Sequence, residues 1–343
     1  MNQKRIFDYG IRIGNGKRGK LNKISDVAGV TVGHSTIRNE AHNTGVTVVM
    51  PSKSNIFRDK LIAASYVHNG FGKTAGTIQI DELGTLETPI ALTNTLNVGL
   101  VSDAVVQYMI DSCNADGMFV RSVNPVVGEC NDSALNTITE RAVRCEHVME
   151  AIQTASEDFE EGNVGAGAGT VCYGLKGGIG SASRVVELDG KEYTIGVLVQ
   201  SNYGSTADLV INGRRIGEEI VKSTSGSECD KGSIIIVLAC DVPLTARQLK
   251  RVVKRCSVGI ARLGSYIGHG SGEVFIGFST ANVISEDKGG DIMNIACVKE
   301  GRMNMLFRAA GEAAEEAILN SMVCAKDVTG PDGHVVKCLK HYL

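Results

Sequence analysis

Tryptophan is absent from this chain, and aromatic residues together make up only 5% of it. Binding single-stranded nucleic acid calls for aromatic faces along a basic groove. The formal net charge here is −3, so neither nucleic acid nor a membrane surface is an expected partner. Only five prolines occur among 343 residues, and the glycines follow no period, which excludes a collagen-like chain. No apolar run reaches membrane-spanning length. The opening segment MNQKRIFDYGIRIG carries no apolar signal core, so a cytoplasmic protein is expected.

The ten cysteines form no C-x-x-C pair. Several, such as Cys240 and Cys256, fall inside apolar segments and read as buried free thiols in a reducing compartment, with zinc disfavoured. The seven histidines show no metal-ligand spacing, and His34 and His269 beside glycines read as loop residues. No metal or organic cofactor is expected. The G-x-S-x-G nucleophile elbow is missing, since His269 holds the first glycine position before Ser271. A P-loop at Gly72-Lys73-Thr74 fails because Val67 stands where its first glycine belongs. Gly14, Gly16 and Gly19 match G-x-G-x-x-G without the strand and helix that would give it meaning, and read as a basic surface turn. Gly165, Gly167 and Gly169 would cradle a phosphate only if a helix followed, and TVCYGLKGG is not helical in pattern.

What is abundant is glycine, with 41 residues, alongside 43% hydrophobic and 21% charged residues. That is a soluble composition with many tight turns and close backbone approaches. No linker divides the chain, so residues 1–343 are read as one structural domain with a deep core. Strands are predicted at 46–51, 77–80, 88–94, 194–200, 233–239 and 273–280. Helices are predicted at 98–113, 138–155, from Thr245 onward, and at 303–324. The run T-A-R-Q places Thr245 as an N-cap with Gln248 at N3, a capping box. Elements of both kinds in both halves suggest sheets covered by helices.

The stretch DKGSIIIVLAC raises the chemical question. Gly232-Ser233 stands where the polar segment KSTSGSECDKG meets a rigid apolar strand. Such a pair is ordinarily a turn. It also has what self-cleavage needs, because glycine tolerates distortion of the peptide that a following hydroxyl would attack. A freed Ser233 would carry an α-amino group, reference pKa about 8, able to serve as base for its own hydroxyl. Ser271 and Glu273, two apart at a strand start, point to one side and read as a proton-relaying pair or as a turn serine beside an edge acid. Asn202, after an apolar strand, reads as an oxyanion donor or as a turn residue.

The stretches LNKISDVAGVTVGHSTI, HNGFGKTAGTIQIDELGTLETPIALTNT, NPVVGECND, NVGAGAGTVCYGLKGGIG, VLVQSNYG, GSIIIVLACDVPLTARQLKRV and GSYIGHGSGEVFIGFSTAN resemble, in order from about residue 20 to 335, the DmpA family. These are the L-aminopeptidase/D-esterases and β-peptidyl aminopeptidases of peptidase family S58. The resemblance implies a four-layer α/β fold, an αββα sandwich of N-terminal-nucleophile-hydrolase architecture with its own connectivity. It also implies self-cleavage at Gly232–Ser233 into 1–232 and 233–343, two fragments that remain associated, in a homotetramer. Ser233 then matches the nucleophile, Ser271 and Glu273 the proton-relay pair, and Asn202 the oxyanion-hole asparagine. Glu129 matches an acid that receives the substrate's free amino group. Several members have a tyrosine where this chain has Ala134, so the substrate pocket is expected to differ there. The expected activity is hydrolysis of small peptides, amides or esters with a free amino end. Two alternatives stand beside it: an acyltransferase resembling ornithine acetyltransferases, which cleave before threonine, and a non-catalytic binding or assembly protein.

Overall fold

Two sheets face each other in the computed structural model, which describes residues 3–223, 231–285 and 290–343. The smaller sheet has the order β1 (Thr31–Arg38), β2 (Asn43–Met50), β5 (Ile90–Asn94), β6 (Val126–Cys130). The larger runs β4 (Thr85–Leu86), β3 (Asp59–Gly70), β12 (Gly270–Ser285), β11 (Lys231–Cys240), β10 (Lys191–Asn202), β9 (Gly178–Leu188). Helices α2 (Val98–Ala115) and α3 (Cys145–Gln153) cover the small sheet. Helices α5 (Ala246–Val253), α6 (Cys256–Arg262) and α7 (Met303–Val323) cover the large one. The layers are α, β, β, α, as the sequence led us to expect.

Strand β11 shows why its apolar run is unbroken. Its side chains alternate between two buried faces. Ile234, Ile236, Leu238 and Cys240 join the core beneath α5 to α7, whereas Ile235, Val237 and Ala239 join the core between the sheets. The helix α7 lies almost directly on β9, because Gly180 offers no Cβ. One added there would stand 2.0 Å from the Ala317 carbonyl oxygen. The glutamates of α7 are not a solvated face: Glu316 is fully buried and takes Arg184 Nη2 at 2.7 Å.

Several expectations need correction. Residues 77–80 belong to a short helix, α1 (Thr77–Leu83), which is too short to show a helical period. Only Cys145–Gln153 of the segment 138–155 is α-helical, preceded by a 3₁₀ turn at Ile138–Glu140 and the left-handed Arg141. The turn Gly14–Gly19 is docked rather than free, its Gly16 N–H donating to Glu312 Oε2 at 2.9 Å. His34 lies on β1, while His269 is indeed in a loop. Gly165–Gly167 is a buried 3₁₀ turn whose N–H groups bond Thr36 and Thr47, not a cradle open to phosphate. Most of KSTSGSECDKG, residues 224–230, lies outside the described residues, and Cys229 with it. Of the nine described cysteines, all are free and seven are buried. No helix among the described residues is long and apolar enough to cross a membrane.

The capping box at the start of α5 forms as predicted. Thr245 Oγ1 accepts from Gln248 N–H at 3.3 Å, and Gln248 Oε1 accepts from Thr245 N–H at 3.2 Å. Thr245→Ala is expected to cost about 1 kcal/mol in urea denaturation. Ile236→Ala, in the core under the same helix, is expected to cost about 2–5 kcal/mol.

Candidate active site

The site is assembled by strand register. In the antiparallel β10–β11 ladder Asn202 stands opposite Ser233, and in the parallel β11–β12 ladder Ser271 stands opposite Gly232 and Glu273 opposite Ile234. Paired residues share a face. Ser233 and Asn202 therefore open towards the gap between the sheets, whereas Ser271 and Glu273 lie with Ile234 on the helix-covered face. The hydroxyl and the acid pair thus sit on opposite sides of one strand end. The pair is adjacent in register to Gly232, so it neighbours the Gly232–Ser233 peptide unit rather than the Ser233 side chain.

Gly232 has φ of +146°, and a Cβ on it would stand 1.9 Å from the Asn202 carbonyl oxygen. No other residue fits without displacing the strand ends. Ser233 is 5% exposed, at the floor of a cavity of about 760 Å³. Asn202, Glu129, Ala134, Phe71, Lys73 and His269 also line it. Ser271 and Glu273 are fully buried and do not. The Ser271 hydroxyl donates to Glu273 Oε1 in a very short bond. Asn69 Nδ2 of β3 clamps the preceding loop, donating to the carbonyls of Gly268 and Ser271. A bulge between Glu273 and Val274 re-aims this end of β12.

The orientation of Asn202 is determined by chemistry. Val171 N–H, which can only donate, lies 2.9 Å from Asn202 Oδ1. The amide oxygen is thereby occupied, and Nδ2 is the polar group it has left for the cavity. Glu129 is 2% exposed, and its carboxylate accepts from Lys73 N–H at 3.0 Å and from the Thr95 hydroxyl. Behind Ser233, the single Cys130 Sγ–H is shared between the Gln200 carbonyl oxygen at 3.3 Å and the Ser233 carbonyl oxygen at 3.4 Å. Burial pushes that thiol well above its ordinary pKa, so it is inert.

Ser233, Gly232, Asn202, Glu129 and Ala134 thus meet on one cavity, with Ser271 and Glu273 in the adjoining strand. Sequence reasoning missed the groups that hold them: Val171, Thr95, the Lys73 N–H and Asn69. Backbone donors leave no trace in residue type. His269, read as a plain loop residue, lines the cavity. Its place two residues before Ser271 was the available signal.

Among the described residues, one His/Cys/Asp group lies close enough to share an ion: Asp327, Cys338 and His341, far from the cavity in sequence. There Asp327 already accepts from Lys337 Nζ at 3.1 Å, Cys338 N–H at 3.0 Å and Cys338 Sγ–H at 3.0 Å, with His341 Nε2 at 2.9 Å. Asp327 is a hydrogen-bond hub, held well below the usual carboxylate range by these donors against the opposing effect of burial.

Comparison with known proteins bears on the whole chain. The model of peptidase family S58 matches residues 22–336. This chain belongs to peptidase family S58. The β-peptidyl aminopeptidase BapA of Sphingosinicella microcystinivorans is 40% identical over 361 aligned positions, covering 98% of this chain and 90% of the relative. A Pyrococcus horikoshii OT3 protein of solved structure is 46% identical with a TM-score of 0.92, covering 98% of this chain and 96% of that one. The L-aminopeptidase D-Ala-esterase/amidase of Ochrobactrum anthropi, described as a variant of the Ntn hydrolase fold, is 35% identical with a TM-score of 0.91 at the same coverage. These matches support the S58 peptidase reading and give no support to the acyltransferase or the non-catalytic one.

The close approach at Gly232 is testable by sign. Gly232→Ala is expected to lower the unfolding temperature by several degrees, since both φ and the Asn202 carbonyl oppose it. Gly99→Ala, in α2 with open space around it, is expected to raise it slightly.

Proposed function

We propose that the protein is a self-processing serine aminopeptidase that releases the N-terminal residue of small peptides, amides or esters through an acyl-enzyme on Ser233. The observation that carries this reading is the register that sets Ser233 beside Asn202 on a cavity whose wall holds a buried carboxylate, Glu129. A positive amino end entering that cavity needs a carboxylate to offset its lost hydration. Glu129, with both oxygens already oriented, supplies one. A cavity of about 760 Å³ suits short substrates rather than folded protein. The small, exposed Ala134 leaves its wall open. A β-amino acid at the N-terminus, as the name of the Sphingosinicella relative suggests, is within the proposed range.

Maturation uses the same atoms. Ser233 Oγ attacks the Gly232 carbonyl carbon, the C–N bond breaks, and the nitrogen, which keeps its own hydrogen, takes the hydroxyl proton and becomes a free amine. Water then hydrolyses the ester, leaving a Gly232 carboxylate and a new N-terminal Ser233. Left-handed Gly232 at a strand end is the unit most easily distorted towards that tetrahedral state. In turnover the Ser233 α-amino group takes the hydroxyl proton, and Oγ bonds the substrate carbonyl. Asn202 Nδ2 holds the oxyanion while the α-ammonium gives its proton to the leaving amine or alcohol and the bond to it breaks. Water then hydrolyses the acyl ester to free Ser233. Ser271 and Glu273, across the strand and next to Gly232, fit a role towards that nitrogen: Glu273 holds the Ser271 hydroxyl, and Ser271 steers the amine. The chain ends expected from this are 1–232 and 233–343, remaining together because β11 is the centre of the large sheet. We place the enzyme in the cytoplasm as a homo-oligomer, a tetramer by family resemblance. Exposed Ile78, Phe119 and Ile292 are apolar surface for subunits to cover.

An intact mass spectrum under denaturing conditions tests the reading. The wild type is expected to give two masses broken between Gly232 and Ser233, and Ser233→Ala one full-length mass. A single mass for both would overturn it. On the mature enzyme, Glu129→Gln is expected to raise KM for amino-acid amides by about tenfold to a hundredfold, the loss of one charge-assisted contact. kcat should change far less.

A further inference from the structure

Lys176 is fully buried, and among the described residues no carboxylate is bonded to it. Its Nζ donates instead to three backbone carbonyls, Gly167 at 2.9 Å, Thr170 at 2.7 Å and Gly177 at 2.9 Å. An ammonium in such a place is costly to bury, and nothing in the chemistry proposed above uses it. Its middle bond leads to the active site. The Thr170 carbonyl and the Val171 N–H are the two ends of one peptide unit. That N–H donates to Asn202 Oδ1 at 2.9 Å. Two amides are therefore joined in series between a cation and the cavity: Lys176 Nζ–H to Thr170 C=O, then Val171 N–H to Asn202 Oδ1, then Asn202 Nδ2–H to the cavity.

We propose that Lys176 is a positioning residue of the oxyanion hole, holding and polarising the Asn202 amide through the Thr170–Val171 peptide. Hydrogen bonds in a chain strengthen one another, and most at low dielectric. A positive charge on the Thr170 oxygen makes Val171 N–H a better donor. That donor in turn draws electron density to Asn202 Oδ1 and makes Nδ2–H a better donor to a developing oxyanion. The same three bonds pin both ends of the Gly167–Gly177 loop, so Val171 stays in place before any substrate arrives. The proposal rests on Asn202 being the oxyanion donor.

The proton on Lys176 is the switch for this effect. Burial lowers its pKa to about 7; Arg38 of β1 adds to the lowering, while Asp132 and Cys172 oppose it. Loss of the proton removes the charge and one of the three donors. kcat therefore falls as pH rises through about 7. The Ser233 α-amino group must be neutral to act as base, so its own limb has the opposite sign. Asp132, raised to about 6 chiefly by burial, titrates on the acid side.

The experiment is a double-mutant cycle between Lys176→Met and Asn202→Ala on the mature enzyme, with kcat followed from pH 6 to 9 on an amino-acid p-nitroanilide. Lys176→Met is expected to lower kcat about tenfold, less than the ~10²–10³ of deleting an oxyanion donor. KM should stay within about twofold, and the falling alkaline limb should vanish. In the Asn202→Ala background it should cost almost nothing more. A full tenfold cost in that background, or an alkaline limb that persists in Lys176→Met, overturns the proposal while leaving Asn202 in its role. Asn202→Ala with unchanged kcat overturns the Asn202 assignment itself and the proposal with it. Should Lys176→Met fail to fold, Lys176→Gln, which keeps a donor without the charge, takes its place in the cycle: an additive cost with Asn202→Ala overturns the proposal, and a cost that vanishes in that background upholds it.

Discussion

The position of one strand between two others is the constraint on which this molecule depends. Strand β11 hydrogen-bonds β10 on one side and β12 on the other, antiparallel and parallel respectively. A slip of one residue in either ladder would turn every side chain of β11 to the wrong face. The two cores forbid that slip, because Ile234, Ile236 and Leu238 fill one and Ile235 and Val237 the other. Ser233, at the strand's end, inherits its position from this alternation. Apolar packing deep in the sandwich thus aims a hydroxyl at its edge, and the Asn202 amide opposite is aimed by the same ladder.

The polar groups around the site follow a second rule: each is held by a neighbour that has no chemistry of its own. Asn202 is oriented by a backbone N–H, Glu129 by another and by Thr95, and the loop before Ser271 by Asn69. Buried polar groups must be paired, and pairing them with backbone leaves the reactive atoms free to face the cavity. The sheet also separates the two groups, with Ser233, the proposed nucleophile, on its inner face and the Ser271–Glu273 pair on its outer one. The peptide unit between them is the one that is proposed to break.

Much of this was legible in the sequence. The unbroken run Ser233 to Ala239 announced a strand buried on both faces. Thr245 and Gln248 announced their helix, and the ordered motifs around Glu129, Asn202, Ser233 and Ser271 singled out residues that the structure gathers at one cavity and its adjoining strand. What was hidden is non-local or carried by backbone. The helix Thr77–Leu83 was misread because four apolar-rich residues have no distinguishable period, and Gly76 and Gly84 rather than side chains cap it. The docked turn at Gly14–Gly19 depends on Glu312, nearly 300 positions away. The opposite faces of Ser233 and Ser271 follow from a register that no single strand discloses.

Everything proposed for this molecule turns on whether Ser233 Oγ carries the acyl group in turnover. Its most direct test is to mix the enzyme with an aminoacyl p-nitrophenyl ester at low pH, where deacylation is slow, quench in acid within the burst, and weigh the peptides. One aminoacyl group per chain is expected, esterified to the peptide that begins at Ser233. Label on another residue, or undiminished turnover with no covalent intermediate at Ser233, would contradict it.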